Sequence, residues 1–235
     1  MTASATPTLL RRLQHPVVAL IVSVVAILAI TAWGFVVKHQ SNGLGFIQTL
    51  NDNHNQVLDT LALGLSTLFS PGPAIVLGVL FAAVVAWVAH SVAVGLGAGL
   101  TVGLSWLSSD IVKLIVHRPR PEYSAIAHHV GAVDVDPSFP SGHVVFIASL
   151  AVTLVLLLRG TVHVRWVWAP GLVATAAVSF ARMYLGAHYP DDVTAAAIYG
   201  IFGSWAAFAV ITWIASATGV AAVLDRRFPL RRGTK

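Results

Sequence analysis

Cysteine is absent from this chain of 235 residues, so disulfides, thiolate nucleophiles and cysteine-ligated metals are excluded together. Charge is the second scarcity. Only 10% of residues are Asp, Glu, Lys or Arg while 57% are hydrophobic, and the mean hydropathy is +0.81. Soluble domains carry roughly a quarter charged residues, so the composition describes an integral membrane protein. No soluble segment is long enough for a recognition module, which argues against nucleic acid as the partner of the formal +5 charge. Much of that charge, Arg226, Arg227, Arg231, Arg232 and Lys235, lies in a short tail after the last apolar run, where it sets topology and meets anionic lipid. Three lysines against eleven arginines, with abundant Ala and Val, fit a GC-rich bacterial genome.

What the chain has instead is apolar runs of spanning length. Val17 to Val37 is uncharged and follows Arg11 and Arg12; it is too long for a signal-peptide core and reads as a retained first helix. Lys38 to Gln56 is polar and interfacial, and Val57 to Phe69 is too short to cross, so it reads as interfacial or re-entrant. Further spans are expected at 74–89, 91–116, 141–158, 166–185 and 191–218, with Gly95, Gly97, Gly99 and Gly103 allowing close packing in the third. The seven tryptophans include Trp33, Trp87, Trp106, Trp166 and Trp168, and several of them lie near span ends, as interfacial anchors do. The expected fold is all-α and polytopic, with six transmembrane helices and an interfacial or re-entrant segment between the first two. It forms one domain over 1–235: a core at 57–218, the first helix and interfacial segment at 1–56, and a basic cytoplasmic tail at 219–235. With both termini inside, nine of the fourteen Lys and Arg are cytoplasmic.

Three polar islands then share the extracytoplasmic face. The first runs from Lys113 to Arg120-Pro121, the second is Pro140-Ser141-Gly142-His143, and the third runs from Arg182 through His188 to Asp192. Ionisable groups beside hydrocarbon are costly and mark function by default. Ser141 before an apolar helix is a good N-cap, and the free N–H groups there, with Gly142, form an anion site; the plainer reading is a capped helix with a surface histidine. Asp192, four residues after His188, can fix one ring nitrogen and leave the other as a nucleophile; the plainer reading is that Asp191 and Asp192 complement a helix dipole. Lys113 lies within the apolar periodicity, with Asp110 as its local alternative partner. Arg118 reads as a boundary residue that snorkels or satisfies the last helix carbonyls. Arg182 is embedded with no acid three or four residues away, so its anionic partner comes from elsewhere.

Jointly, Lys113, Arg120, Arg182 and the backbone at Ser141 and Gly142 can hold a phosphoryl group, with one histidine attacking phosphorus and the other protonating the departing oxygen. No carboxylate cluster able to hold two divalent ions accompanies them, so neither a metal nor a cofactor is expected in the reaction. His128-His129, in the loop with Glu122, Asp134 and Asp136, reads as a solvated loop, with an adventitious metal or a part in substrate entry as the alternatives.

In order and spacing the three islands resemble the signature of the phosphatidic acid phosphatase type 2 superfamily: Lys, six residues, Arg-Pro; Pro-Ser-Gly-His; and Ser-Arg, five residues, His, three residues, Asp. The resemblance implies His188 as nucleophile passing through a phosphohistidine, Asp192 orienting it, and His143 as general acid. Lys113, Arg120, Ser141, Gly142 and Arg182 would hold the phosphoryl oxygens. It also implies lipid phosphates as substrates: phosphatidic acid, phosphatidylglycerol phosphate or polyprenyl diphosphates. A diphosphate needs further cations, and Arg118 and His117 are the only spares nearby, which favours monoesters weakly. One departure is Ala181, where the family usually has serine; Ser179 lies two residues away. The alternatives are a binder or transporter of lipid phosphates using the same pocket, and oxidation through bound vanadate, which a membrane-embedded chain of this length fits poorly.

Overall fold

A computed structural model describes residues 13–131, 134–228 and 230. Arg11, Arg12, Arg231, Arg232 and Lys235, which carry part of the topology argument, lie outside the described residues. Among the described residues the chain is all-helical. Helix α1 spans Pro16–Val37, α2 Leu44–Asp52, α3 Gln56–Leu68, α4 Pro71–Ala89 and α5 Val92–Val116; α6 spans Gly142–Leu158, α7 Arg165–Tyr184, α8 Pro190–Thr218 and α9 Val220–Arg227.

Five of the helix starts have a local cause. Asn55 caps α3 by accepting a hydrogen bond from the Leu58 N–H, Ser91 caps α5 through the Val94 N–H, and prolines occupy the first turns of α1, α4 and α8. Helices α1, α4, α5, α7 and α8 are long and apolar enough to cross a membrane. The remaining expected crossing, α6, has 17 residues and so a length of about 25 Å, short of a ~30 Å hydrocarbon core. Two findings go beyond the expected plan. Residues in the polar stretch after α1 form α2, and the first part of the basic tail forms α9, where Asp225 accepts hydrogen bonds from the Ser91 hydroxyl and the Ala93 N–H.

Helices α5, α6 and α8 pack on one another, with α1 against α8, α4 against α5 and α7 against α6. Close approach is bought with small residues. A Cβ on Gly95 would stand 2.4 Å from the Ala86 Cβ, and one on Gly99 2.9 Å from the Ala82 Cβ, whereas Gly103 faces open space. Polar pairs add to the packing where no water competes: Ser105 with Ser149 at 2.8 Å, and the Tyr199 hydroxyl donating to Ser108 at 3.0 Å. The C-terminal ends of α5 and α7 and the N-terminal ends of α6 and α8 meet at one end of the bundle, over a buried cluster that includes Val112, Val116, Phe139, Val144, Val145 and Val193. All three islands lie at that end.

The spacing of α6 from α8 therefore sets the spacing of His143 from His188. A Cβ on Gly200 would stand 2.5 Å from the Ala148 Cβ and 3.3 Å from the Val145 carbonyl oxygen. Gly200→Val should lower stability by roughly 1–3 kcal/mol, the usual cost of overpacking. The thermal midpoint in detergent checks this, with Gly103→Ala expected to leave it unchanged or raised.

Candidate active site

Arg118 is fully buried, contrary to the boundary position expected for it. Its Nη1 donates to Asp192 Oδ1 at 2.7 Å and its Nη2 to the Gln40 carbonyl at 2.9 Å, while the guanidinium lies 4.3 Å from the centre of the Tyr189 ring. Asp191, expected to serve the helix dipole alone, lies 3.7 Å from Arg118 Nη2. The Ser138 N–H also donates to the Arg118 carbonyl at 2.9 Å. One side chain thus ties the end of α5 to the chain after α1 and to the first turn of α8. A fully buried guanidinium is sustained only by such partners.

Asp192 is equally buried. Its Oδ2 accepts from the Tyr189 N–H at 2.9 Å and lies 3.4 Å from His188 Nδ1, which has no hydrogen-bond partner. The expected Asp192–His188 pairing is present as proximity, one small ring rotation from a hydrogen bond. At the other ring nitrogen, Arg120 Nη1 stands 3.0 Å from His188 Nε2. A guanidinium can only donate, so Nε2 carries the lone pair and Nδ1 the proton. Burial first, then Arg120, Arg182, Lys113 and His143, hold His188 well below the ordinary histidine value and keep the ring neutral.

The cations converge on two carboxylates that nothing in the sequence motifs pointed to. Lys113 Nζ pairs with Asp136 Oδ2 at 2.6 Å, and not with Asp110 as its helix spacing allowed. Arg120 Nη2 pairs with Asp136 Oδ1 at 2.7 Å, and its Nη1 lies 3.2 Å from Asp134 Oδ2. Arg182 Nη2 donates to the same Asp134 oxygen, and its Nη1 donates to the Ser66 hydroxyl. Burial pushes both carboxyls up, but the cations outweigh it. Lys113 and Arg120 hold Asp136 down to about 2, and Arg182 and Arg120 hold Asp134 below its usual value. Both remain ionised at any physiological pH.

His143, in the first turn of α6, places Nε2 3.0 Å from the Ser66 carbonyl oxygen, which only accepts; Nε2 is therefore the protonated nitrogen. Ser66 of α3 thus touches both Arg182 and His143, a role that a serine in a short apolar segment does not advertise. Ser141 occupies the N-cap position of α6, yet its buried hydroxyl has no partner, and its N–H donates to the Asp192 carbonyl at 3.3 Å. A Cβ on Gly142 would stand 3.9 Å from Lys113 Nζ and 3.5 Å from the Trp106 indole nitrogen, so glycine leaves the backbone open to an oxyanion beside that lysine. The Trp106 indole nitrogen thus lies beside the Gly142 backbone. Ser179 donates to the Thr175 carbonyl within α7 and does not stand in for a serine at 181.

A cavity of about 210 Å³, bordered by Ser66, Asp134, His143, Arg182 and Tyr123, lies on one side of this cluster. Another, of about 540 Å³ and bordered by Lys38, His117, Arg120 and Asp136, lies on the other. All eight residues expected to act together are gathered at this end. The arrangement presents a neutral imidazole whose Nε2 lone pair faces Arg120, three cations and the open Gly142 backbone around a pair of carboxylates.

Removing the guanidinium of Arg118 would leave Asp192 buried without its charge partner, at a cost of about 3–5 kcal/mol. Arg118→Ala should therefore lower the thermal midpoint sharply. An unchanged midpoint would contradict the structural role given to the pair.

Residues 94–216, just over half of the chain, match the PAP2 superfamily. The undecaprenyl-diphosphatase of Sulfolobus acidocaldarius is 30% identical over 115 residues, 47% of this chain and 52% of that protein. Phosphatidylglycerophosphatase B of Escherichia coli is 39% identical over 83 residues, 33% of this chain and 29% of that protein. The matched stretches thus span about half of the first relative's length and under a third of the second's. The crystal structure of a transmembrane PAP2-type phosphatidylglycerolphosphate phosphatase from Bacillus subtilis shares the fold, with a TM-score of 0.63 at 20% identity over 88% of this chain and 98% of that one. On the match of its α5–α8 segment and on this likeness of fold, the chain is an integral membrane protein that belongs to the PAP2 superfamily.

Proposed function

We propose that the protein hydrolyses membrane lipid phosphates at the extracytoplasmic face by metal-independent nucleophilic catalysis at His188. The observation that carries this reading is the convergence of Lys113, Arg120 and Arg182 on acid oxygens beside a neutral histidine. The Asp134 and Asp136 carboxylates occupy positions that phosphoryl oxygens would take, so substrate enters by exchange of one set of anionic oxygens for another.

Once a phosphate displaces the carboxylates, its non-bridging oxygens are held by Lys113, Arg120, Arg182 and the backbone at Ser141 and Gly142. Arg120 moves from His188 Nε2 to an oxygen, which frees the lone pair to attack phosphorus. The N–P bond forms as the bond to the lipid oxygen breaks, and the Nδ1 proton closes onto Asp192. His143, which gains a second proton beside the entering dianion, passes it to the departing oxygen. Water then attacks the phosphohistidine with His143 as base, and the N–P bond breaks to release phosphate.

The relatives named for both a lipid phosphate monoester and a diphosphate leave both substrate classes in view. Commitment of Arg118 to Asp192 leaves His117 and Lys38 at the outer cavity for a second phosphate, which favours monoesters. The topology that suits this chemistry has both termini inside, six crossings with α6 counted among them, and α2 and α3 at the outer interface. In that topology 1–235 forms a single domain, with α9 and the residues beyond it on the cytoplasmic side.

Phosphate release by purified protein in detergent with excess EDTA, from phosphatidic acid and from a polyprenyl diphosphate, tests the reading. Release should survive chelation and vanish in His188→Ala; release untouched by that substitution would overturn it. Asp136→Asn should lower KM on the order of tenfold, since a charge-assisted contact that competes with substrate is weakened. A raised KM would instead make Asp136 a substrate-binding group.

A further inference from the structure

A second polar cluster lies away from the three islands, where α3 begins. His54 stands in the turn between α2 and α3, Asp59 in the first turn of α3, and His128 in the loop between α5 and α6. Asp59 Oδ2 lies 3.0 Å from His128 Nε2 and 4.0 Å from His54 Nδ1, and the two rings stack with centroids 3.6 Å apart and planes 10° from parallel. Two imidazole nitrogens from distant parts of the chain thus converge on one carboxylate oxygen. The His54 ring makes no hydrogen bond among the described residues; 4.0 Å is too long for one. His54 is exposed while Asp59 and His128 are half-buried, so the cluster opens to water on one side.

The groups behind these three are held in turn. Tyr184, at the end of α7, donates its hydroxyl to Asp59 Oδ1 at 2.5 Å, leaving Oδ2 for the histidines. Asn51 is buried, accepts from the His128 N–H at 2.8 Å and donates to the His128 carbonyl at 2.7 Å. That reciprocal pair fixes the backbone of His128 as firmly as a sheet ladder would. Carboxylates and histidines that serve as metal ligands are oriented by such outer partners.

We propose that His54, Asp59 and His128 form a binding site for a divalent transition metal of the zinc type, distinct from the phosphate site. Two imidazoles and one carboxylate suit zinc and disfavour magnesium or calcium, which take oxygen donors. Ligand atoms on a tetrahedral zinc stand about 3.3 Å from one another, given bonds near 2.0–2.1 Å. Reaching that geometry from the present 3.0 and 4.0 Å, with all three ligand atoms within 4.8 Å of one another, needs shifts of up to about 1.5 Å. A water completes the fourth position on the open side.

The ion would do structural work. It would join the α2–α3 turn to the loop that continues to Asp134 and Asp136, and, through Asp59 and Tyr184, to α7 two residues beyond Arg182. Helix α3 also carries Ser66, which touches Arg182 and His143 at its other end. A metal at the start of α3 would therefore stiffen one wall of the cavity without contacting substrate. Chelation would leave the chemistry at His188 in place and loosen its surroundings.

The full chain, freed of any affinity tag and stripped with EDTA, would be dialysed against zinc chloride in detergent with excess magnesium. Bound metal would be counted by mass spectrometry and the thermal midpoint followed. One zinc per chain and a raised midpoint are expected. His54→Ala and Asp59→Asn should each weaken binding at least tenfold, while His163→Ala, far from the cluster, should match wild type. His54 is exposed, so its removal leaves folding intact even if Asp59→Asn does not. No stoichiometric zinc, or zinc held equally well by His54→Ala, would overturn the site. Because the readout is metal on the protein, it stands or falls separately from phosphate release.

Discussion

The buried contact between Arg118 and Asp192 is the constraint on which the rest of the site depends. Each charge alone would be intolerable at full burial, and together they remain costly unless every lone pair and donor is used. The structure goes most of the way toward that condition with the Gln40 carbonyl, the Tyr189 N–H and ring, and Asp191 around the pair, and only Arg118 Nε is left without a hydrogen bond on the guanidinium. Three segments distant in sequence are thereby locked at one end of the bundle. Asp192 is held by Arg118 on one oxygen and by the Tyr189 N–H on the other, and His188 Nδ1 stands 3.4 Å from the second. An ion pair with modest net stability can still impose one geometry, because every alternative leaves a charge unpaired.

A second electrostatic problem follows from the first. Lys113, Arg120 and Arg182 are brought together in an environment that screens them poorly, and their mutual repulsion needs an anion. Asp134 and Asp136 supply it from the loop between α5 and α6. In the proposed function substrate recognition is an exchange between two anions of different valence: a phosphate dianion offers more charge and three oxygens in one rigid group, where two carboxylates must each be ordered separately. The same proposed exchange would lift Arg120 from His188. Binding and activation of the nucleophile are in this account one event.

Much of this was legible in the sequence, for reasons that particular residues illustrate. Apolar runs beginning near Pro71, His90 and Pro190 placed several of the long helices within a few residues, because hydrocarbon-length runs have few other uses. The spacing within the islands named all eight residues gathered at the site. Partners that depend on loop conformation were out of reach. Asp134 and Asp136 are ordinary loop acids until the chain folds back over Lys113, and Lys113 had a nearer candidate in Asp110. Arg118 sits beside a helix end, where arginines usually reach for water, and its burial follows only from how α1 and α8 close around it. Ser66 and α2 gave no periodic or compositional signal strong enough to separate them from an interfacial stretch, and the stacked pair His54 and His128 joins positions far apart in sequence.

The central claim, that the neutral His188 ring is the nucleophile, is tested most directly by trapping the intermediate. The protein would be quenched in alkali after incubation with a 32P-labelled lipid phosphate, then cut with trypsin. Cleavage after Arg182 and Arg226 yields a peptide in which His188 is the sole histidine, whereas His143 falls on the peptide ending at Arg159. The account predicts alkali-stable, acid-labile label on the His188 peptide alone. Turnover with no label on the protein, or label on the His143 peptide, would contradict it.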